Sequence, residues 1–328
     1  MGVEPVETDL GEFIVQLEGE PPYHILTPAM HKSKEDVARL FHEKFGTPPN
    51  ETPQNLTAFT RGKLREKYLK AGAGITGANF LVADTGAVAL TENEGNGIMS
   101  VAFPKVHIVI AGIEKVIPSL SDLGKIWPVL AQFGTGQQLT VYNSIFTGPK
   151  KENELDGPEH MYVILIDNGR SKLYQTHPQS EALKCIRCGA CLNACPIYKN
   201  VGGHTYNTPY TGPIGSVITP IFKGKAYNHL ADACSLCGRC TEVCPAKIPL
   251  HELLLHNRNR SVAANNGKMW SLFIKMFRFF ASKQNKMDMF SEHFKNSIFK
   301  IGKNKWGKNR VLPIFGKQTF SNYWKHSE

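Results

Sequence analysis

The first 184 residues of this 328-residue chain contain no cysteine, and no apolar run anywhere reaches the roughly 18 residues that cross a bilayer. The first absence excludes disulfides and thiolate metal sites from the first half of the chain. The second excludes a transmembrane helix. Acidic residues are scarce near the end, where residues 257–328 contain fifteen Lys and Arg but only three Asp and Glu. The formal charge of +10 therefore belongs to one basic tail rather than to the whole fold.

All eight cysteines lie between residues 185 and 244, in two copies of one motif. Each copy has two residues between its first three cysteines, three more before a fourth, and a proline directly after it. Paired motifs of this kind bind two [4Fe-4S] clusters, and the fourth cysteine of each copy ligates the other cluster. We therefore assign one cluster to Cys185, Cys188, Cys191 and Cys244, and the second to Cys234, Cys237, Cys240 and Cys195.

Zinc and disulfides are the alternatives for these cysteines. Zinc takes its thiolates in separated pairs, so four cysteines packed so closely, twice, fit it poorly. Disulfides need an exported chain, and no apolar signal segment opens this one. We therefore expect a cytoplasmic protein, because a reducing compartment keeps thiols available for iron.

Nearly forty residues separate the two motifs, from Cys195 to Cys234. This linker is longer than that of small bacterial ferredoxins and favours an all-helical ferredoxin domain. Short helices are predicted to lead into the motifs at 178–183 and 226–233. The Gly- and Pro-rich stretch at 202–215 is predicted to be mostly loop.

The cysteine-free half has the pattern of an α/β domain. Apolar residues at helical spacing predict helices at 32–45 and 60–71. Strands are predicted at 13–17, 79–83, 87–90, 106–111 and 161–167, with a hairpin turn at 84–86. Strands with helices between them are typical of layered α/β domains. The predicted domains are therefore α/β at 1–172, helical ferredoxin at 173–256 and a basic extension at 257–328.

A polar, glycine-rich loop at 91–97 follows a predicted strand, which is where α/β domains place ligands. Glu94 and Asn96 are therefore candidate site residues, and His24 and His31 are candidates for proton transfer nearby. An ordinary solvated turn and structural histidines are the alternatives. Residues 72–77 match G-x-G-x-x-G, but they follow a predicted helix, whereas a dinucleotide site needs a strand and then a helix.

The basic tail contains one segment, residues 269–280, with large apolar residues at helical spacing and cations between them. Such a helix could lie on the inner face of the cell membrane as a peripheral contact, dock on an acidic partner, or pack on its own protein. No nucleic-acid partner is expected, because no reading motif or stacking platform accompanies the charge.

Several segments together resemble one known family. They are residues 6–17, 76–80, 92–97, 104–107 and 112–115, then the twin cysteine motifs and residues 212–215. In combination they closely resemble the iron-sulfur B proteins of the bacterial lactate-utilization system, over nearly the whole chain. The resemblance implies a lactate-utilization (LUD) domain related to the NagB/RpiA/CoA-transferase-like α/β fold, followed by a helical ferredoxin and a basic extension.

The resemblance also implies a function and partners. The chain would be the iron-sulfur electron-transfer subunit of an NAD-independent complex that oxidises L-lactate to pyruvate, beside a cysteine-rich subunit and a smaller LUD-domain subunit. Family members have a long further segment before the equivalent of residues 7–11, so we expect the first part of the α/β domain to be missing here. The sequence does not identify a catalytic base. The alternative is a generic electron-transfer subunit with two [4Fe-4S] clusters, whose α/β half only docks another dehydrogenase.

Overall fold

The computed structural model describes residues 2–264, 268–283, 286, 289–301 and 310–326, in two compact units, 1–261 and 262–328. The strands of the first unit are β1 (Ala73–Gly77), β2 (Phe80–Val82), β3 (Ala87–Glu92), β4 (Val106–Gly112), β5 (Val116–Ile117), β6 (Tyr142–Phe146) and β7 (His160–Ile166). Its helices are α1 (Leu10–Glu18), α2 (Lys34–Phe45), α3 (Pro53–Lys70), α4 (Asn96–Ala102), α5 (Leu123–Thr135), α6 (Arg170–Tyr174), α7 (Ala190–Ala194), α8 (Pro196–Val201), α9 (Gly212–Lys223), α10 (His229–Asp232), α11 (Arg239–Glu242) and α12 (Leu250–Ala264), which runs into the second unit. The predicted order, α/β and then helical, is confirmed.

The strand predicted at 13–17 is wrong, because this segment lies in helix α1. The Asp9 side chain accepts hydrogen bonds from the first backbone N–H groups of the helix, and Gly19 ends it with a φ of 78°. These caps satisfy the polar groups that a helix leaves open at its two ends. Phe13 is buried among apolar residues of α2 and α3, so the helix has a tertiary partner that an isolated segment lacks.

The other predicted strands and the two predicted helices are confirmed as β2, β3, β4, β7, α2 and α3. Helix α3 begins earlier than predicted, at Pro53, because the Thr52 side chain caps it. The sequence missed β1, β5, β6, α4 and α5. Strand β1 occupies the G-x-G-x-x-G stretch, which follows helix α3 and leads into β2. The strand-then-helix order of a dinucleotide site is therefore not found at this stretch.

Two sheets organise the α/β part. β1, β4 and β7 form a parallel sheet in the order β1-β4-β7. The second sheet has the order β5-β2-β3-β6, and its antiparallel β2–β3 hairpin turns at the predicted residues 84–86. Asn79 and Lys115 come shortly after β1 and β4, at the carboxyl edge of the parallel sheet. This edge is where α/β folds bind ligands.

Short helices around the cysteine motifs make up the helical part. The helices predicted to lead into the motifs are present as 3₁₀ turns at Gln179–Lys184 and Lys225–Tyr227 and as α10. The prediction of loop at 202–215 is wrong from Gly212 onward, where α9 begins. Helix α9 is almost wholly buried and lies within the helical core. Its first residue is a glycine because a side chain at Gly212 would collide with Leu192 of α7.

The linker between the motifs packs tightly on the α/β part. The Tyr198 hydroxyl donates to the Tyr23 carbonyl at 2.8 Å, and His204 Nε2 donates to the Pro21 carbonyl at 2.9 Å. At Gly203 an added Cβ would stand 1.7 Å from the Tyr23 carbonyl oxygen. Only glycine allows the two backbones to approach this closely.

We therefore expect Gly203→Ala to lower the free energy of unfolding by about 1–3 kcal/mol, because backbone rather than a flexible side chain must move. Thermal or denaturant unfolding of the cluster-loaded protein measures the change. Gly62→Ala is the matched control, since Gly62 is exposed within α3 with nothing within 4 Å of its added Cβ. It should stabilise the protein by up to about 1 kcal/mol. Equal stability of the two variants would contradict the close approach.

In its described residues the second unit contains α13 (Lys268–Ala281), α14 (Glu292–Ile301) and α15 (Phe320–Lys325). The helix predicted at 269–280 is confirmed as α13. Among the α13 side chains that the structure describes, the exposed apolar ones include Leu272, Phe273, Ile274, Met276, Phe277 and Phe279. Among the described residues, no helix is both long enough and apolar enough to cross a membrane. Docking of α13 on a membrane surface or on an acidic partner stays a prediction.

Candidate metal centres and the adjoining cavity

Four cysteines from both motifs surround one small cavity. Cys185, Cys188, Cys191 and Cys244 line it, and apolar side chains such as Ile214 and Ile248 close it. The last cysteine of the second motif therefore lies with the first three of the first motif. This is the grouping that the spacing predicts for one cluster, although ligation of iron by each thiolate stays a prediction.

The remaining four cysteines are also mutual neighbours. Burial, followed by the charges of Cys234, Cys195 and Cys237, raises the pKa of Cys240 to about 11. Burial also raises the pKa of Cys195, with smaller contributions from Cys234 and Cys237. Cys240 and Cys195 are buried, whereas Cys237 is exposed. The second set thus reaches the protein surface.

The two ligand loops share one backbone conformation. The residue before the second cysteine of each motif has a positive φ, 65° at Arg187 and 56° at Leu236. The glycine after that cysteine does too, 76° at Gly189 and 80° at Gly238. Left-handed backbone at a non-glycine residue costs roughly 1 kcal/mol or more, so its repetition in both loops indicates a shared geometric demand. That demand is to turn three closely spaced thiols toward one point.

The donor chemistry of both sets fits iron-sulfur clusters. Burial favours the uncharged thiols of a free protein, and a bound metal reverses this preference because coordinating thiols are deprotonated. The Tyr198 N–H lies 3.5 Å from Cys195 Sγ, and the Leu236 N–H lies 3.3 Å from Cys234 Sγ. Backbone N–H groups aimed at sulfur are among the factors that set cluster potentials.

The first ligand loop packs into the core of the α/β part. Cys188 is buried with Phe80, Leu130 and other residues of the second sheet and α5, and Ile186 packs beside it. An ion-pair network also connects the first ligand loop to the α/β part. Glu114, which follows β4, pairs with both Arg170 and Arg187, and its side chain is only 4% exposed. One carboxylate therefore fixes the first cysteine loop to the edge of the parallel sheet.

A cavity of about 750 Å³ lies where these elements meet. Its walls come from α1, the loop at 25–30, the carboxyl edge of the parallel sheet, the loop after β3, α5 and the first ligand loop. The lining side chains with the most chemical interest are Glu12, Asn79, Glu94, Asn96, Lys115 and Arg187. The volume is in the range of ordinary ligand sites.

The polar groups of the cavity have perturbed protonation. Burial and a hydrogen bond with Asp9 raise the pKa of Glu12 to about 8. Burial, followed by the charge of Asp9, also raises the pKa of Glu94. Burial and the nearby Arg187 cation lower the pKa of Lys115 to about 8. The two shifts favour the uncharged forms of Glu12 and Lys115. Such shifted groups in a cleft are characteristic of functional sites.

Of the four candidate residues from the sequence, Glu94 and Asn96 line the cavity. Neither histidine is among the described residues that line it. His24 Nδ1 accepts backbone N–H bonds at 3.1 and 3.2 Å, burial lowers the pKa of its ring, and the ring packs against Gly189 of the first ligand loop. His31 pairs with Glu20 at 2.8 Å, and the ammonium of Lys32 lies beside the same carboxylate. Both histidines have structural contacts of their own.

Sequence reasoning missed four of these six cavity residues: Glu12, Asn79, Lys115 and Arg187. Glu12 directly precedes the segment 13–17 that is predicted as a strand, and it was given no element of its own. Lys115 belongs to the segment 112–115 that carries the family resemblance, and Arg187 lies between two ligand cysteines. The positions of Lys115 and Arg187 in the sequence indicate that both residues matter, but they do not indicate that the two line one cavity.

Two family descriptions match the chain: the LUD domain over residues 1–166 and the 4Fe-4S dicluster domain over residues 181–248. A lactate utilization protein B from Bacillus pumilus is 43% identical, covering 99% of this chain and 72% of its own length. A protein of the same name from Bacillus subtilis is 44% identical, covering 95% of this chain and 63% of its own length. An uncharacterized electron transport protein of Escherichia coli is 41% identical, covering 99% and 71%. No solved structure matches the chain.

Proposed function

The chain belongs to the lactate utilization protein B family, with an iron-sulfur electron-transfer role in lactate utilization, and we propose that it is the two-cluster subunit of an NAD-independent complex oxidising L-lactate to pyruvate. The observation that carries the proposal is the shared wall: the first ligand loop, through Ile186 and Arg187, forms part of the large cavity. The large cavity and the cysteine sets lie in the same compact unit, which supports the proposal.

Each residue set has a distinct part in this function. The first cysteine set would hold one [4Fe-4S] cluster beside the cavity, and the second set would hold another near the surface at Cys237. When bound, each cluster supplies one-electron transfer, so two clusters match the two electrons that lactate loses. Oxidation of a 2-hydroxy acid also releases two protons, and carboxyl groups such as Glu12 and Glu94 are placed to hold protons in the cavity.

The test is an anaerobic complex assembled with the two partners that we propose, a cysteine-rich subunit and a smaller LUD-domain subunit. L-lactate, without added nicotinamide, should bleach the cluster absorption and produce the EPR signal of reduced clusters. D-lactate and omission of each partner serve as controls. If dithionite reduces the clusters but L-lactate leaves them oxidised, the lactate role fails, and a generic electron-transfer subunit becomes the better description.

A further inference from the structure

Three side chains with metal-binding chemistry meet away from the cysteines. They are Glu20, His31 and His204, and the atoms that they offer to a metal lie within 4.8 Å of one another. Glu20 and His31 belong to the α/β part, whereas His204 lies in the linker between the two cysteine motifs. Ligand atoms around a tetrahedral zinc ion are about 3.3 Å apart, given zinc–ligand bonds of roughly 2.0–2.1 Å. Small side-chain shifts would therefore bring all three atoms onto one ion.

The two imidazole rings are already held in place by their neighbours. The Tyr23 ring stacks on His31 with 4.7 Å between centroids and meets the edge of the His204 ring at 5.2 Å. His204 Nε2 donates to the Pro21 carbonyl at 2.9 Å, which leaves the free lone pair of that ring on Nδ1. Histidines that bind metals commonly donate their other ring N–H to a carbonyl in this way.

The charges around this group leave a negative excess. Lys32 pairs with Glu20 at 3.0 Å and with Glu18 at 3.4 Å, so one ammonium serves two carboxylates. The ammonium lies at Glu20 Oε1, as hydrogen-bonding partners of ligating carboxylates do, and Oε2 lies 2.8 Å from His31 Nε2. A metal ion at Oε2 would balance the second carboxylate and replace the proton that Glu20 and His31 share.

We propose that Glu20, His31 and His204 form a binding site for a divalent transition metal, with zinc as the best match. Zinc takes imidazole and carboxylate ligands, and three protein ligands leave its fourth position for water. Calcium and magnesium fit less well because they prefer oxygen ligands. His204 is exposed, and a polar cavity of about 260 Å³ that His31 and Lys32 help to line lies beside the group, so an ion and water have access.

The ion would connect the α/β part to the linker between the cysteine motifs. It would join Glu20 and His31 to His204, directly after the close backbone approach at Gly203. Among the described residues that line the cysteine cavity and the large cavity, none of these three appears. The inference is therefore independent of the proposed lactate role.

Zinc binding to the anaerobic, cluster-loaded full chain tests the proposal. After a mild chelator is applied and removed, the wild type should bind one zinc ion per chain with unchanged iron content. Zinc should also raise its melting temperature, because the ion binds the folded state. X-ray absorption at the zinc edge should show nitrogen and oxygen ligands at about 2.0–2.1 Å, whereas zinc bound by cysteines would show sulfur at about 2.3 Å.

His204→Gln and Glu20→Gln should each weaken zinc binding by at least about tenfold, because each removes one of three protein ligands. Both should also abolish the rise in melting temperature at the same zinc concentration. His229→Gln is the matched control, since His229 is likewise exposed and donates to a backbone carbonyl, that of Ala226 at 2.8 Å. This variant should bind zinc as the wild type does.

Three results would overturn the inference. They are the absence of zinc from the wild type at micromolar free zinc, sulfur among the zinc ligands, and wild-type zinc affinity in both His204→Gln and Glu20→Gln. In each case the three side chains would be an ordinary hydrogen-bonded cluster at the linker. Reduction of the clusters by L-lactate is measured separately, so the lactate role and the zinc site can fail independently.

Discussion

Cys188→Ser is expected to lower the iron content of the anaerobic protein from about eight to about four atoms per chain, because one of two four-iron clusters loses a ligand. Cys188 lines the small cavity together with Cys244, which lies 56 residues further along the chain in the other motif. Cys244→Ser should therefore have the same effect as Cys188→Ser, even though the two residues belong to different motifs.

The EPR spectrum of the remaining cluster tests which cysteines ligate which cluster. After chemical reduction, Cys188→Ser and Cys244→Ser should leave one EPR signal, and Cys195→Ser and Cys240→Ser should leave the other. Ser235→Ala, a change inside the second loop that touches no thiol, should keep the iron content and both signals. If Cys244→Ser instead matched Cys240→Ser, the crossed ligand assignment would be wrong. Two zinc ions and no EPR signal would replace the cluster assignment altogether.

The cysteine sets could be predicted from the sequence because their geometry is local. Three thiols within seven residues have few ways to face one point, and the fourth follows from the duplicated spacing. The cavity is different. Glu12 and Lys115 lie about a hundred residues apart in the sequence, and only the tertiary fold brings them to one cavity. Spacing along the chain contains no information on that contact.

The fold shows the same division between local and tertiary causes. Periodicity predicted α2 and β4, which have clear apolar patterns, but misassigned α1, where Phe13, Ile14 and Val15 are consecutive and all buried. Such a run suits either a strand or a buried helix. The residues that distinguish a helix from a strand here are the capping residues Asp9 before the run and Gly19 after it. The prediction followed the apolar run instead. Helix α5 was missed because Pro128 stands inside it.

Glu114→Gln is expected to destabilise the first unit by about 3–5 kcal/mol, because it leaves two largely buried guanidinium groups without their charge partner. The side chains of Arg170 and Arg187 are only 8% and 14% exposed, so water cannot replace the carboxylate. For a unit of this size, the apparent melting temperature should fall by on the order of ten degrees. The first ligand loop should also loosen, since Glu114 is what connects Arg187 to the edge of the parallel sheet.

Glu181→Gln provides the comparison for this change. Glu181 pairs with Lys184 on the surface, with both side chains well exposed, so its loss should cost at most about 1 kcal/mol. Both variants remove one negative charge from a glutamate–cation pair, and they differ in burial. Thermal unfolding of the cluster-loaded proteins, followed by circular dichroism and by cluster absorption, separates the two. Cluster absorption should be lost before secondary structure in Glu114→Gln, because the weakened contact belongs to the first ligand loop. Similar melting curves for the two variants would show that Glu114 does not hold the cysteine loop against the cavity.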